Sequence, residues 1–257
     1  MNFSEAELKA LAEVARVLDG VDFVLIGAAA LREFGHCHWR STLDLDFTVA
    51  LDGDAFPGPL EGGMLRRDAR LEHRWYSGGV SLDILPAGPR LIEQGFIRWG
   101  DKTMNLTGMQ LALAHAVPRQ LAPGLVIRVA PPAVITVLKM VAYCDRPAER
   151  ERDLGDLAHL LEDYVGDNDD RRFEDSVVAA NLDWDHVSAH ELGMDVAGII
   201  TAAELPSIES FLELACGGDA QGTLARLLRV SSFARDEREQ RVMGQLDAFR
   251  RGLFSRR

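Results

Sequence analysis

The sequence predicts an α+β protein, with a sheet-containing domain over residues 1–130 and a helical domain over residues 131–257. Two observations support this division. Stretches in which apolar and polar residues alternate, as they do in half-buried strands, lie before residue 130. Beyond that point apolar residues recur at helical spacing, and proline, glycine and capping residues mark helix ends.

The first elements are a helix over residues 4–19, a strand over 22–26 and a helix over 28–35. Ser4 and Glu7 have the spacing of a capping box at the start of the first helix. The strand stops at Gly27, and an alanine-rich helix start follows. Such a junction directs backbone N–H groups and the positive helix end toward an anion, and phosphate fits there. A tight turn without a ligand is the alternative.

The next strand contains two aspartates at alternate positions. Leu45 and Phe47 alternate with Asp44 and Asp46, so the two carboxylates are predicted to share one strand face. Adjacent carboxylates repel each other, and Mg²⁺ prefers a few carboxylates together with substrate phosphate oxygens. The pattern therefore indicates either a metal site or a half-buried strand with a solvated polar face.

A hairpin is predicted to supply a third carboxylate. Residues 71–77 and 79–85 alternate in the manner of strands and are joined at Ser77-Gly78-Gly79. Asp83 lies on the second arm and on its polar face. A basic cluster precedes the hairpin and continues into its first arm; it consists of Arg66, Arg67, Arg70, His73 and Arg74. It is either a local patch for phosphate groups or a solvated turn.

Shorter elements complete the first domain. We predict a helix over residues 91–94, strands over 96–99 and 125–129, and a helix up to residue 117 that opens with a Thr107/Gln110 capping box.

The second domain is predicted to be helical throughout. One helix starts at Pro131-Pro132 and carries Lys139. The next, over residues 148–164, has Asp153 and Asp156 on one face. An Asp-rich linker over 165–175 precedes further helices, with capping boxes at Ser188/Glu191 and Thr201/Glu204, a helix over 206–215 and a closing Arg- and Glu-rich helix.

Composition limits the classes of function. The 257 residues are 47% hydrophobic, enough for a sizeable core, and no run is long enough to cross a membrane. The three cysteines have no ligand spacing, and the N-terminus lacks the features of a signal peptide, so a cytoplasmic, reduced protein is expected. A net charge of −12 argues against broad, sequence-blind binding of nucleic acid.

Four motifs, in this order, resemble the polymerase-β-like nucleotidyltransferases, and within them the AbiEii-type toxins of bacterial toxin–antitoxin systems. The resemblance covers roughly residues 20–165. The motifs are Gly27-Ala28-Ala29-Ala30-Leu31, Arg40-Ser41-Thr42-Leu43-Asp44-Leu45-Asp46, the strand with Asp83, and Lys139-x-x-Ala142-Tyr143-x-Asp145-Arg146 followed by Arg152-Asp153-Leu154-x-Asp156-Leu157.

The resemblance implies a nucleotidyltransferase domain with a mixed, mostly antiparallel sheet, followed by a helical domain that completes the active-site cleft. It implies transfer of a nucleoside monophosphate from an NTP, with two Mg²⁺ ions, onto an acceptor hydroxyl. Asp44, Asp46 and Asp83 would be the metal ligands, and these three together with Lys139 and Asp153 the catalytic residues. The residues expected to bind the nucleotide are Gly27, Ala28, Arg40, Ser41, Thr42, Lys139 and Arg146.

Two positions depart from the family pattern. Ala28 stands where the family usually has Gly or Ser, and Arg152 replaces the lysine of a Lys-Asp pair. Alanine keeps the backbone N–H but removes a hydroxyl, and arginine is not equivalent to a compact ammonium.

The resemblance implies a tRNA 3′ end as acceptor, with Trp75, Tyr76 and the basic cluster as candidate contacts, and a cognate antitoxin as a possible partner. A small cationic acceptor such as an aminoglycoside, or a protein hydroxyl, is an alternative, as is a relative that binds nucleotide without turnover. Dinucleotide-binding, P-loop and nucleophile-elbow glycine motifs are absent from the sequence.

Overall fold

The computed structural model describes residues 2–37, 42, 44–52, 60, 65–100, 102–216, 223 and 235–255. The chain divides into two compact units, Met1–Ile135 and Thr136–Arg257. The assignment of catalysis to the first predicted domain and of cleft completion to the second stays a prediction. Within the described residues, no helix has the length and apolar character that a membrane crossing requires.

The first unit combines a mixed sheet with short helices. The helices are α1 (Glu5–Val17), α2 (Gly27–Glu33), α3 (Pro89–Gln94) and α4 (Met109–His115). The strands are β1 (Phe23–Ile26), β2 (Asp44–Val49), β3 (Arg66–Arg67), β4 (Arg74–Ser77), β5 (Val80–Pro86), β6 (Phe96–Trp99), β7 (Lys102–Asn105), β8 (Val117–Ala122) and β9 (Leu125–Val129).

Seven of these strands form one sheet in the order β3-β4-β5-β2-β1-β9-β8, and β6 pairs with β7 in a separate sheet. In the larger sheet, β2–β5 and β1–β9 are parallel, and the other neighbouring strands are antiparallel. The predicted mixed, mostly antiparallel sheet is therefore confirmed. The neighbouring strands β1 and β2 are antiparallel, and their register aligns Ile26, the last residue of β1, with Asp46.

Burial of apolar side chains on one face fixes the register of the central strands. Leu45, Phe47, Leu82 and Ile84 are fully buried, whereas Asp44, Asp46 and Asp83 are only partly buried on the other face. A slip of one residue would exchange the two faces and expose the apolar set, so the register is strongly specified.

The second unit is helical, as the sequence predicts. Its elements are α5 (Pro132–Asp145), α6 (Glu151–Asp163), a 3-10 turn (Asp170–Phe173), α7 (Asp175–Ala180), α8 (Trp184–Ile199), α9 (Leu205–Cys216) and α10 (Arg235–Phe254). Helices α8 and α10 pack with their backbones in close contact, because Gly193 faces the carbonyl of Phe249 and Gly252 faces that of His190.

Two predicted capping boxes are wrong. Helix α4 begins after Gly108, whose φ of 86° is left-handed, and no side chain caps it, so Thr107 and Gln110 do not form the box. Ser188 lies inside α8, where its buried hydroxyl accepts a hydrogen bond from the backbone N–H of Val165 at 3.2 Å. The Ser4/Glu7 box is confirmed.

The stretch over residues 165–175 is not a simple linker. The Arg172 side chain is buried and donates to three backbone carbonyls, those of Val165 at 2.7 Å, Gly166 at 2.9 Å and Trp184 at 3.0 Å. A buried guanidinium with this many partners fixes the segment against α8, which a polar composition alone does not reveal.

We predict that Gly193→Ala destabilises the second unit. A Cβ at this position would lie 2.9 Å from the Leu253 nitrogen and 3.0 Å from the Phe249 carbonyl carbon. Alanine ordinarily stabilises a helix interior relative to glycine, so a loss of about 1–3 kcal/mol in the free energy of unfolding would come from the packing. Denaturant unfolding measures it, and Gly166→Ala, where a Cβ meets nothing within 4 Å, is the control. Equal stabilities of the two variants would contradict the close packing.

Candidate active site

Three carboxylates meet on one face of the sheet in the first unit. Asp44 and Asp46 come from β2, and Asp83 comes from the parallel neighbour β5, where it pairs in register with Asp46. One ligand oxygen from each residue lies within 4.8 Å of the others, and all three residues are partly buried. We call this set the acidic triad.

The acidic triad fits a divalent cation. Mg²⁺ binds oxygen ligands at about 2.1 Å in octahedral geometry, so opposite ligands are about 4.2 Å apart. The three ligand oxygens lie within 4.8 Å of one another, and partial burial leaves coordination positions for water or phosphate oxygens. The structure therefore brings the three predicted metal ligands together in an arrangement that can hold a metal ion.

A fourth residue, Arg74, completes the cluster and was missed as a site residue by the sequence analysis. Its Nε donates to Asp83 Oδ1 at 2.7 Å and its Nη2 to Asp83 Oδ2 at 2.8 Å. The same Nη2 lies 3.4 Å from Asp44 Oδ2. These hydrogen bonds raise the pKa of Arg74 further above its ordinary value. Arg74 is thus a cation held by two members of the triad.

The register of the β4–β5 hairpin places Arg74 at this position. Ser77 pairs with Val80 across the two glycines, and the same register aligns Arg74 with Asp83. Directly opposite residues of an antiparallel pair project to the same face. The sequence carried this signal, because the two-residue turn at Gly78-Gly79 fixes the register.

Gly27 is required by Asp46 rather than by a turn alone. Its φ is 70°, and a Cβ built on it would overlap the Asp46 carboxylate, lying 3.0 Å from Cγ. The glycine therefore lets the backbone at the start of α2 approach a triad carboxylate. Ala28 follows within α2 and is buried. A phosphate-binding role for Gly27 and Ala28 stays a prediction.

The loop before β2 is only partly described. The Thr42 hydroxyl lies 3.2 Å from the carbonyl oxygen and 3.3 Å from the Oδ1 of Asp44, and it donates to this residue. Thr42 therefore helps to orient a triad carboxylate. Arg40 and Ser41, which were predicted to bind nucleotide, lie outside the described residues.

In the second unit, Lys139 is held by two carboxylates. Its Nζ lies 2.7 Å from Asp153 Oδ1 and 2.7 Å from Asp156 Oδ2, and both Lys139 and Asp156 are buried. Burial lowers the pKa of Lys139, but attraction by the two carboxylates outweighs it and the pKa is raised. The sequence analysis named Lys139 and Asp153 as catalytic residues but gave Asp156 no role in the site. The ion pairs link α5 to α6.

Arg146, the remaining predicted nucleotide contact, follows α5. Its guanidinium lies 3.4 Å from Asp145 Oδ2 and 3.9 Å from Glu149 Oε2. The roles of Lys139, Asp153 and Arg146 toward a nucleotide stay predictions.

Two of the candidate RNA contacts are corrected by the structure. Trp75 is 1% exposed and packs in the core, so its ring is not available to stack on a base. His73 is largely buried and stacks on Trp99, with ring centroids 5.4 Å apart. Arg66, Arg67 and Arg70 are exposed, and Arg66 lies over the Tyr76 ring at 4.5 Å.

Comparison with known proteins gives distant likenesses. No protein-family model matches the chain, and no curated protein matches it. An antigenic nucleotidyltransferase-like protein from Paracoccidioides brasiliensis has a similar structure, with a TM-score of 0.46, 15% identity, and coverage of 96% of this chain and 94% of that chain. A protein from H. pylori assigned as a nucleotidyltransferase has a TM-score of 0.38 and 11% identity, covering 98% and 97% of the two chains.

We predict that Gly27→Ala weakens divalent-metal binding about tenfold or more, because the new Cβ displaces Asp46, and changes in groups that orient ligands commonly cost 10–100-fold in affinity. Mn²⁺ titration followed by electron paramagnetic resonance (EPR) measures it. Gly35→Ala is the matched control, since Gly35 has a φ of 83° but a Cβ there meets nothing within 4 Å. An equal loss of affinity in both variants would show that backbone strain, not contact with Asp46, is the cause. Wild-type affinity in Gly27→Ala would contradict the prediction.

Proposed function

We propose that this chain is a metal-dependent nucleotidyltransferase, which moves a nucleoside monophosphate from an NTP onto an acceptor hydroxyl. The observation that carries the proposal is the acidic triad, three carboxylates from neighbouring parallel strands with ligand atoms within 4.8 Å of one another. Carboxylates that serve only as a solvated surface would not have to lie this close together. Here they are grouped on one face of a sheet whose opposite face packs in the core.

The chemistry asks for position and charge more than for covalent catalysis. The acceptor oxygen forms a bond to the α-phosphorus, the bond from that phosphorus to the bridging oxygen breaks, and pyrophosphate leaves. Two Mg²⁺ ions, when bound, stabilise the attacking and leaving oxygens. Asp44 and Asp46 would hold the metal, and Asp83 would share it and accept the proton of the acceptor hydroxyl.

Residues around the triad are proposed to bind the triphosphate. The backbone at Gly27 and Ala28, together with Arg40, Ser41 and Thr42, is assigned to the phosphates on the basis of the motif resemblance. In the second unit, Lys139 with Asp153, and Arg146, are assigned supporting roles on the same basis. The ammonium of Lys139 is shared by two carboxylates, so we assign it the ordering of α5 and α6 in preference to direct neutralisation of phosphate.

For the acceptor we propose the 3′ end of tRNA, in a toxin-type enzyme that a cognate antitoxin would restrain. An exposed basic edge supports an anionic acceptor. Arg66 pairs with Tyr76, and Tyr76 is two residues from Arg74 on the same strand. Arg66, Tyr76 and Asp83 therefore lie on one face of the sheet. Single-stranded RNA ends are bound by stacking on aromatic side chains and by local cations. Tyr76 and Arg66 would supply these two kinds of contact.

An aminoglycoside is the second candidate acceptor, because a net charge of −12 favours a cationic substrate. A protein hydroxyl is the third.

We predict that the purified protein transfers label from an α-labelled NTP to total tRNA in the presence of Mg²⁺. Asp46→Asn should reduce the rate at least about a hundredfold, because a metal ligand is lost. Asp19→Asn, which changes an exposed carboxylate of the same unit, should leave the rate unchanged. Each of the four NTPs is tested, with tRNA, aminoglycosides and protein as acceptors.

The outcomes separate the alternatives. Label on an aminoglycoside or a protein would keep the chemistry and replace the acceptor. NTP binding without transfer to any acceptor would indicate a nucleotide-binding protein without turnover and would overturn the proposal.

We predict that the double variant Arg66→Glu, Arg70→Glu raises the KM for tRNA about tenfold or more and leaves the KM for NTP unchanged. Both arginines are exposed, and reversal of their charge replaces attraction to phosphate by repulsion. The control is Arg98→Glu, an exposed arginine on β6 in the separate sheet. If the control raised the KM for tRNA as much as the double variant, net charge would be the cause. The edge with Arg66 and Arg70 would then not be the acceptor surface.

A further inference from the structure

Arg74 contacts the acidic triad in two different ways. Its guanidinium forms a fork with both oxygens of Asp83, at 2.7 Å and 2.8 Å, which is the strong bidentate geometry. Its contact with Asp44 is longer, at 3.4 Å, and uses an Nη2 that already donates to Asp83. The arginine is therefore fixed to one carboxylate and only loosely associated with the other.

Arg74 is the cation that balances the acidic triad among the residues the structure describes around Asp83. A second basic group, His73, has its Nε2 4.0 Å from Asp83 Oδ2. The guanidinium contacts two of the three carboxylates, those of Asp83 and Asp44, and a divalent cation would add positive charge to the cluster.

The backbone of Arg74 is held in place. Trp75, the next residue, is 1% exposed on the opposite face of β4, and the pairing of Arg74 with Asp83 belongs to a hairpin closed by two glycines. The Arg74 side chain has 27% of its surface exposed. The contact with Asp44 is the longer one, so it can be lost by a shift of Asp44 while the fork to Asp83 is kept.

We propose that Arg74 is the positioning residue of the metal site: its fork fixes Asp83, while its contact with Asp44 occupies a place that a divalent cation must take over. The inference rests on the proposed function, because it concerns the same triad. It has two separable parts. The positive charge of Arg74 opposes metal binding, and the planar fork orients Asp83 for the acceptor hydroxyl.

The two parts predict different effects for two variants. Arg74→Gln removes the charge and the fork, so Mn²⁺ should bind about fivefold or more tightly, while kcat for transfer should fall about tenfold or more. Arg74→Lys keeps the charge but cannot form the fork, so Mn²⁺ affinity should stay within about threefold of wild type while kcat falls. A residue that merely stabilises the fold would weaken both properties in both variants.

The experiment is a Mn²⁺ titration of the nucleotide-free full chain, followed by EPR, with transfer kinetics measured in parallel. Circular dichroism establishes that each variant is folded, and Arg98→Gln controls for the loss of one positive charge. Mn²⁺ binding to Arg74→Gln that is equal to or weaker than binding to wild type would overturn the competing role. Undiminished kcat in Arg74→Lys would overturn the positioning role.

Failure of the inference can be told from failure of the proposed function. Saturable Mn²⁺ binding that Asp46→Asn abolishes and Arg74→Gln does not tighten would keep the metal site and remove the role of Arg74. Absence of Mn²⁺ binding in both wild type and Arg74→Gln would remove the metal site itself, and the proposed function with it.

Discussion

Mutual repulsion among three carboxylates is the constraint on which the candidate site depends. Two like charges about 4 Å apart repel by about 4 kcal/mol at an effective dielectric constant of ~20. This repulsion does not separate the strands that carry Asp44, Asp46 and Asp83, because buried apolar side chains on the other face fix them. The sheet holds the charges together, and a cation is needed to balance them. Arg74 meets part of that need, and a divalent ion would meet more of it.

The surroundings of the triad are shaped to the same end. Gly27 leaves space for the Asp46 carboxylate, which a Cβ at this position would overlap. The Thr42 hydroxyl donates a hydrogen bond to Asp44. Each carboxylate thus has a neighbour that fixes it or makes room for it. Ligands oriented in advance lose less entropy when a metal binds, which is why groups that only support ligands affect affinity.

The sequence predicted the central elements and the triad because their signals are local. Alternation places Asp44 and Asp46 on one strand face, and the glycines of the hairpin place Asp83 on the next arm. The same glycines fix the pairing of Arg74 with Asp83, which was missed because Arg74 was assigned to a basic cluster by its neighbours in sequence. Strand register, and not the charge of adjacent residues, decides what an arginine contacts.

Other features were missed because tertiary contacts override local patterns. Ser188 and Glu191 have the spacing of a capping box, yet they lie inside a helix in which Ser188 binds the backbone of Val165. The Asp-rich segment near residue 170 has the composition of a solvated linker, but the Arg172 side chain is buried and donates to the backbone carbonyl of Val165. Strands β3, β7 and β8 are short or lie at sheet edges, and they lack the alternating pattern from which strands are predicted.

The two charge clusters of the chain show how exposure separates structural from functional charge. Lys139 is enclosed with Asp153 and Asp156, and its ammonium contacts a carboxylate oxygen of each at 2.7 Å, so little of this cluster is open to a ligand. The acidic triad is different, because it brings three partly buried carboxylates within 4.8 Å of one another and Arg74 contacts two of them. The charges of a buried ion pair are balanced by each other within the protein. Partly buried carboxylates that lie close together can instead be balanced by a cation from solution. By this criterion we assign the proposed chemistry to the face of the sheet that carries Asp44, Asp46 and Asp83, and we assign the Lys139 cluster to the packing of α5 and α6.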